Sequence, residues 1–296
     1  MCNETSEHPL SASDDERKVT DEHTPFFKMK EELHKYYLNC GILNENFTCK
    51  YYEDCKSKAK PNEIFTKPKW PEIIKVSEEY GKGKIPRLLF LSLDPGTSQK
   101  NKSKINKGKH WHRTLQFVCS VFHKLSLDLC QLNDENEFII KDYKTHKEIS
   151  PYFAHTTSVK CCLNREGNKQ APNLLYKNCR GYLLGEIEIL APQILVTQGN
   201  PSRSAIKEFI KKGKISIINS SKENISKSGK DYDLAVIEFK NEKAIWVHHY
   251  HPTERSGRFY KYNYYKYQEY AQKIADFLEK NYPEKLKNLS YPNILK

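Results

Sequence analysis

The stretch Arg87-Leu88-Leu89-Phe90-Leu91-Ser92-Leu93-Asp94-Pro95-Gly96-Thr97 constrains the fold more than any other part of the chain. Residues 88–91 form an apolar run with the length and bulk of a strand buried on both faces. Pro95, with its fixed φ, and the permissive Gly96 then stop it. Asp94 is thereby placed at the C-terminal end of a strand, the edge at which open parallel α/β sheets bind ligands. The same carboxylate can also be read as a turn brace, since Asp is a common turn residue for purely local reasons.

The rest of the chain repeats this alternation of strand and helix. Helical spacing covers Pro25–Asn39, and residues 70–80 read as a helix with Pro71 in its first turn. Further helices are expected at residues 112–124, at Asn173–Leu190, at 202–211 with Ser202 as N-cap, and at 259–281. Strands are expected at residues 88–93, 156–161, 194–197, 234–239 and 244–249, a surface hairpin at 138–149, and a loop at 213–231. Strands that alternate with helices argue for an α/β fold, a mainly parallel sheet with helices on both faces. No internal repeat is visible.

Residues 1–24 carry seven acids against two bases and few large apolar side chains, a composition that cannot offset its ordering entropy. They read as a disordered acidic tail preceding one domain, residues 25–296. The tail's −5 leaves +17 on that domain out of the chain's total of +12. This basic balance, with 19 Tyr among the aromatics, favours a nucleic-acid partner over a bare cationic surface. Lys100, Lys102, Lys104, Lys107 and Lys109 crowd the segment after Asp94, and residues 259–267 alternate rings with cations. No run approaches membrane-spanning length and no secretory pattern opens the chain, so an intracellular protein is expected. Nine Cys exceed what such a protein needs for packing, which points some of them toward metal or cluster binding.

A second constellation is Trp246-Val247-His248-His249-Tyr250-His251-Pro252-Thr253-Glu254-Arg255-Ser256-Gly257-Arg258, again a strand running into a Pro-containing loop. Three His within four positions suggest a metal site. However, His248 and His249 point to opposite faces of a strand and His251 lies beyond it. Structural roles suit the first two. His251, at a strand end, is placed to donate a hydrogen bond to a developing anion.

Taken in order, strand-Asp-Pro-Gly, Thr-Thr-Ser-Val-Lys-Cys, Pro-Gln-Ile-Leu-Val-Thr-Gln-Gly and His-Pro-Thr-x4-Arg resemble the uracil-DNA glycosylase superfamily, most closely its four-cysteine iron-sulfur branch. The resemblance spans about residues 86–282. It implies a three-layer α/β/α fold with a central, mainly parallel four-stranded sheet, acting on DNA as a monomer. Asp94 matches the acid that helps water attack the sugar's anomeric carbon. His251 matches the residue that stabilises charge on the leaving pyrimidine. Trp111, in Gly108-Lys109-His110-Trp111, lines up with a ring that stacks on the flipped base, although a lone aromatic at a helix start is also common in cores. Gly96 and Thr253 fall in the substrate-contacting motifs. Arg258 matches the stretch that enters the minor groove, and Lys107 and Lys109 would meet the DNA backbone.

Two departures from the pattern bear on chemistry. The iron-sulfur branch has Glu where this chain has Leu93, while Asp94 matches the acid position of the classical branch. Its Thr-Asn becomes Thr156-Thr157, which removes the amide that reads a pyrimidine edge and leaves one hydroxyl at Thr157. That change points away from plain uracil and toward a modified pyrimidine, such as a bulky or glycosylated phage base, in repair or antiviral defence. An early pair, Cys49 and Cys55, and a late pair, Cys161 and Cys179, match the branch's ligands for a [4Fe-4S] cluster, with structural zinc as runner-up. The early spacing is longer than the branch's Cys-x2-Cys, and Cys40 or Cys162 could compete. The cluster would pin a DNA-facing loop at residues 163–173. The rival reading is a catalytically silent iron-sulfur nucleic-acid-binding protein of the same fold.

Overall fold

The computed structural model describes residues 25–43, 45–61, 63–68, 74–83, 85–93, 107–132, 138, 148–164, 171–218, 226–228, 231–252, 263–287 and 289. The segment 1–24, most of the expected hairpin at 138–149, and the starts of the helices expected at 70 and 259 lie outside them.

In chain order the elements are α1 (Pro25–Asn39), α2 (Tyr52–Lys56), β1 (Ile64–Thr66), β2 (Ile74–Lys75), α3 (Glu78–Lys82), β3 (Leu88–Ser92), α4 (Lys107–Lys124), β4 (Phe153–Thr157), β5 (Cys162–Asn164) and α5 (Asn173–Leu190). There follow β6 (Ile194–Gln198), α6 (Asn200–Lys211), β7 (Ser216–Ile217), β8 (Ser226–Ser228), β9 (Asp231–Phe239), β10 (Glu242–His249), α7 (Tyr267–Asn281) and α8 (Pro283–Lys287).

The main sheet is mixed and runs β2-β4-β3-β6-β10-β9-β7, with β8 also against β9. β3 pairs in parallel with β4 and β6, and β6 in parallel with β10; antiparallel strands extend the sheet at both edges. Alternate residues of the inner strands face two separate cores. Leu88, Phe90, Ile194, Val196, Ile245 and Val247 pack with Leu115 and Phe122 of α4 and Tyr270 and Leu278 of α7. Leu89, Leu91, Leu195 and Trp246 pack with Leu33 of α1, Leu183 and Ile187 of α5 and Ile206 of α6. The fold is α/β with helices on both faces of the sheet, which is why β3 is apolar without alternation. On one of those faces Gly185 admits the ring of Tyr36: a Cβ there would lie 2.5 Å from Tyr36 Cζ.

Several elements differ from expectation. Residues 74–75 form an edge strand against β4 rather than helix, and helix begins only after Ser77, whose side chain accepts the Tyr80 N–H. The second strand covers residues 153–157, because Ser158 and Val159 turn to donate to the carbonyls of Ser92 and Leu93. Cys162–Asn164 then pairs with β1 in a separate two-stranded sheet. Residues 216–217 and 226–228, expected as loop, pair with β9. α7 begins at Tyr267 because buried Asn263 ties the preceding chain to β10, accepting from Tyr250 N at 2.7 Å and donating to His248 O at 3.2 Å. Ser202 is not the N-cap of α6. That position is Gly199, and Ser202 instead donates to Ser92 O and Gln198 O.

Candidate functional site

The parallel strands end side by side, with Ser92 beside Thr157 and Gln198 beside His249. The end of β3 is firmly anchored. Its Ser92 carbonyl accepts from Ser158 N at 2.8 Å, Ser158 Oγ at 2.7 Å and Ser202 Oγ at 3.0 Å, while Leu93 O accepts from Val159 N at 3.1 Å. Gly199, at φ 92°, passes close by, so that a Cβ there would stand 2.7 Å from Leu93 Cδ2. Asp94 is the next residue in the chain. It lies outside the described residues, as do Gly96, Thr253 and Arg258, and Lys107 and Lys109 fall in the first turn of α4 with their side chains outside them.

Above this edge the start of α4 meets β4 and the segment after β10. The His110 and His251 rings stack with centroids 4.9 Å apart, and Trp111 lies edge-on to His110 at 5.2 Å and tilted against His155 at 5.2 Å. Lys75 Nζ sits 5.5 Å from the centre of the Trp111 ring. Arg113 donates to Pro252 O and Tyr267 Oη donates to Arg113 O at 3.1 Å, which ties the turn beyond His251 to α4 and α7. Trp111 and His251 are therefore brought together, bridged by His110.

The His155 and His110 imidazoles are held neutral. Burial, with Lys75, Lys160 and His251 as nearby charges, pushes His155 down to about 3. Burial first, then His251, His155 and Arg113, push His110 well below the usual His range. His155 Nε2 is 2.9 Å from Ser92 Oγ, which donates to Gln198 Oε1 at 2.7 Å, and Gln198 Nε2 donates to Thr114 Oγ1 at 3.0 Å. Thr157 is buried, and its hydroxyl donates to Val159 O at 2.8 Å.

On the other side of β4, Lys160 and Glu186 form an ion pair at 1% and 0% side-chain exposure, with Nζ to Oε1 at 2.7 Å. Lys160 Nζ also donates to Thr157 O at 2.6 Å and Thr156 Oγ1 at 3.0 Å, and Thr156 Oγ1 donates to Glu186 Oε2 at 2.7 Å. The Lys160 backbone N–H reaches Cys179 Sγ at 3.4 Å, so this pair links the strand end to the cysteines.

Cys49, Cys55, Cys161 and Cys179 are all buried in the same core, from the loop before α2, from α2, from the turn after β4 and from α5. Burial pushes the Cys179 thiol up to about 12 and the Cys161 thiol higher still, with neighbouring thiols of the set adding to both shifts. Asn178 Nδ2 donates to Cys55 Sγ at 3.5 Å, and Cys49 Sγ and Tyr182 Oη share a hydrogen bond at 3.3 Å. The four thiols share one core, and Cys161 and Cys179 are each influenced by the charge of other thiols in the set. Among the described residues no group of three or more His, Cys, Asp or Glu is placed to hold a metal ion, the four thiols included. Cys40 and Cys162 are half-buried, and Cys119 and Cys130 pair as a disulfide.

Sequence reasoning missed His155, the bridging role of His110, the Ser92–Gln198–Thr114 chain and the Lys160–Glu186 pair. One signal was present: a His between apolar and Thr positions in Phe153-Ala-His-Thr-Thr157 shares a strand face with Thr157. Among the described residues no helix is long and apolar enough to cross a membrane. Compared with known proteins, the chain matches no family model and no curated protein.

Proposed function

We propose that the chain is a monofunctional DNA glycosylase of uracil-DNA glycosylase-like fold that flips a modified pyrimidine out of DNA and hydrolyses its N-glycosidic bond. The observation that carries this reading is the Trp111, His110, His251 and His155 assembly at the C-terminal edge of the parallel strands, beside the anchored residue that precedes Asp94. The parallel order β4-β3-β6-β10 and the four ordered motifs favour the same reading.

In this mechanism the indole of Trp111 stacks on the flipped base, for which an aromatic face is well suited. Asp94 orients a water toward C1′ and takes its proton as the new C–O bond forms. The C1′–N bond breaks, its electron pair goes to the base, and His251 donates a hydrogen bond to the anion so formed. Stacking on neutral His110 fixes the His251 ring without placing a cation beside it. No amine nucleophile is required, so an abasic site is left without strand cleavage. Cys49, Cys55, Cys161 and Cys179 would hold a [4Fe-4S] cluster, or zinc as the second choice, whose contribution is to fix the surrounding loops. The basic domain, with Lys107, Lys109 and Arg258, would engage the DNA backbone. Such an enzyme suits repair or antiviral defence inside the cell.

The reading is tested by alkali treatment of modified-pyrimidine duplexes after incubation with the wild-type protein and with Asp94→Ala. Base release by the wild type, lost in D94A with DNA affinity kept, is the expected result. Equal activity of the two proteins would remove Asp94 from the mechanism, and DNA binding without base release by either would favour the silent binding protein.

A further inference from the structure

We propose that Lys75 is a nucleic-acid-binding residue: its ammonium covers the Trp111 ring in the free protein, gives up that face to an unstacked base, and then pairs with the phosphate of the same strand. The proposal rests on the glycosylase reading for the role of Trp111 and adds to it the contact that holds the strand.

β2 is two residues long, and the strand period sends its two side chains to opposite faces. Ile74 turns into the core shared with α1 and α5, while Lys75 is exposed. In the antiparallel register Lys75 lies directly opposite His155 of β4. His155 and Phe153, two residues apart on that strand, both pack against Trp111. The edge strand therefore delivers one flexible cation to the aromatic assembly, with Nζ 5.5 Å from the centre of the indole. After burial, Lys75 is the largest influence that lowers His155, so its charge is felt within the site. Among the described residues the ammonium has no carboxylate partner. Lysine on an edge strand also discourages strand addition, but that role needs no aromatic partner.

Trp111 is half-buried and Lys75 exposed, so both present surface to solvent. An exposed cation–π contact is weak, and a base stacked on the same face replaces it with a larger contact. The displaced ammonium keeps its charge on a four-carbon stem, long enough to swing off the ring toward an anion nearby. A nucleotide brings that anion with it, in the phosphate next to its own sugar. Such a site reads no sequence, because every base has a π-face and every nucleotide the same phosphate.

The test is binding of a fluorescein-labelled single-stranded deoxyoligonucleotide of mixed sequence, followed by anisotropy at stepped KCl, for the wild type, Lys75→Gln and Lys243→Gln. Lys243 lies near the start of β10, before the residues that pair with β6, so K243Q removes an equal charge away from Trp111. K75Q is expected to weaken binding roughly fivefold at about 0.1 M salt whatever the sequence, and to flatten the slope of log affinity against log salt by about 0.7, the share of one phosphate on a single strand. K243Q should leave that slope unchanged. In Trp111→Leu, which removes the stacking face, adding K75Q should change the slope less, because no base then carries its phosphate to the site. A K75Q slope equal to the wild type's, a change shared by K243Q, an effect undiminished in W111L, or no binding by the wild type overturns the proposal. Catalysis is judged separately: the expected slope change with no base released from any duplex upholds Lys75 and overturns the glycosylase reading, whereas base release with an unchanged K75Q slope overturns the proposal alone.

Discussion

Lys160 and Glu186 form an ion pair where almost no surface is exposed, and their position explains why the pair is tolerated. Lys160 donates to the end of β4 through its side chain and to Cys179 through its backbone, so one residue couples the strand end to the cysteine set. Removing one member of a buried pair strands the other charge, which costs about 3–5 kcal/mol. Lys160→Met is therefore expected to lower the thermal midpoint by roughly 10 °C, and adding Glu186→Gln should recover part of the loss, as read by calorimetry. Neither partner was legible in the sequence as a pair, since 26 residues and a change of element separate them. Ser202 makes the same point. Its local pattern suggested a helix cap, but its oxygen serves a carbonyl 110 residues away, and local propensity carries no information about such a partner.

Strands β3, β6 and β10 were legible because burial on both faces leaves an apolar run, and α1 and α5 because their spacing is regular, whereas β4, with His and Thr in its run, was read three residues too late. The short edge strands at residues 74–75, 216–217 and 226–228 were not. Two or three residues show no period, and only their partners make them strands. The strand ends also hold a shared titration property. His249 packs among Phe117, Tyr267 and Tyr270, and neither ring nitrogen has a hydrogen-bond partner among the described residues. Burial pushes its pKa down to about 3, as for His155, and burial likewise lowers His110 and His248. Unfolded, these rings take up protons near 6.5, so below that pH the unfolded state binds more protons than the folded one. Stability is then fully present above about 6.5 and falls as pH drops toward about 3, by about 1.4 kcal/mol per pH unit for each ring still neutral in the fold. Urea unfolding at stepped pH should show this slope. His249→Phe should reduce it by one ring's share and raise stability at neutral pH, because it removes two buried polar atoms without partners.

At the scale of the whole molecule, two cores on opposite faces of one sheet divide the labour. One holds α4 and α7 beneath the aromatic and imidazole assembly, and the other holds the four buried thiols. The alternation of strand and helix made that division legible. The central acid, by contrast, was legible only by sequence, since Asp94 lies beyond the described end of β3. If the thiols hold a cluster, the purified protein will contain iron and sulfide, and Cys55→Ser will lose both together with thermal stability; zinc in their place would reject the cluster. The central claim is hydrolysis of an N-glycosidic bond, and mass spectrometry of DNA rich in modified pyrimidines after incubation with the protein tests it most directly. The account predicts one intact free pyrimidine released for each abasic site formed, with strands unbroken until alkali is added. Bases that all remain attached, or strands cleaved without free base, would contradict it.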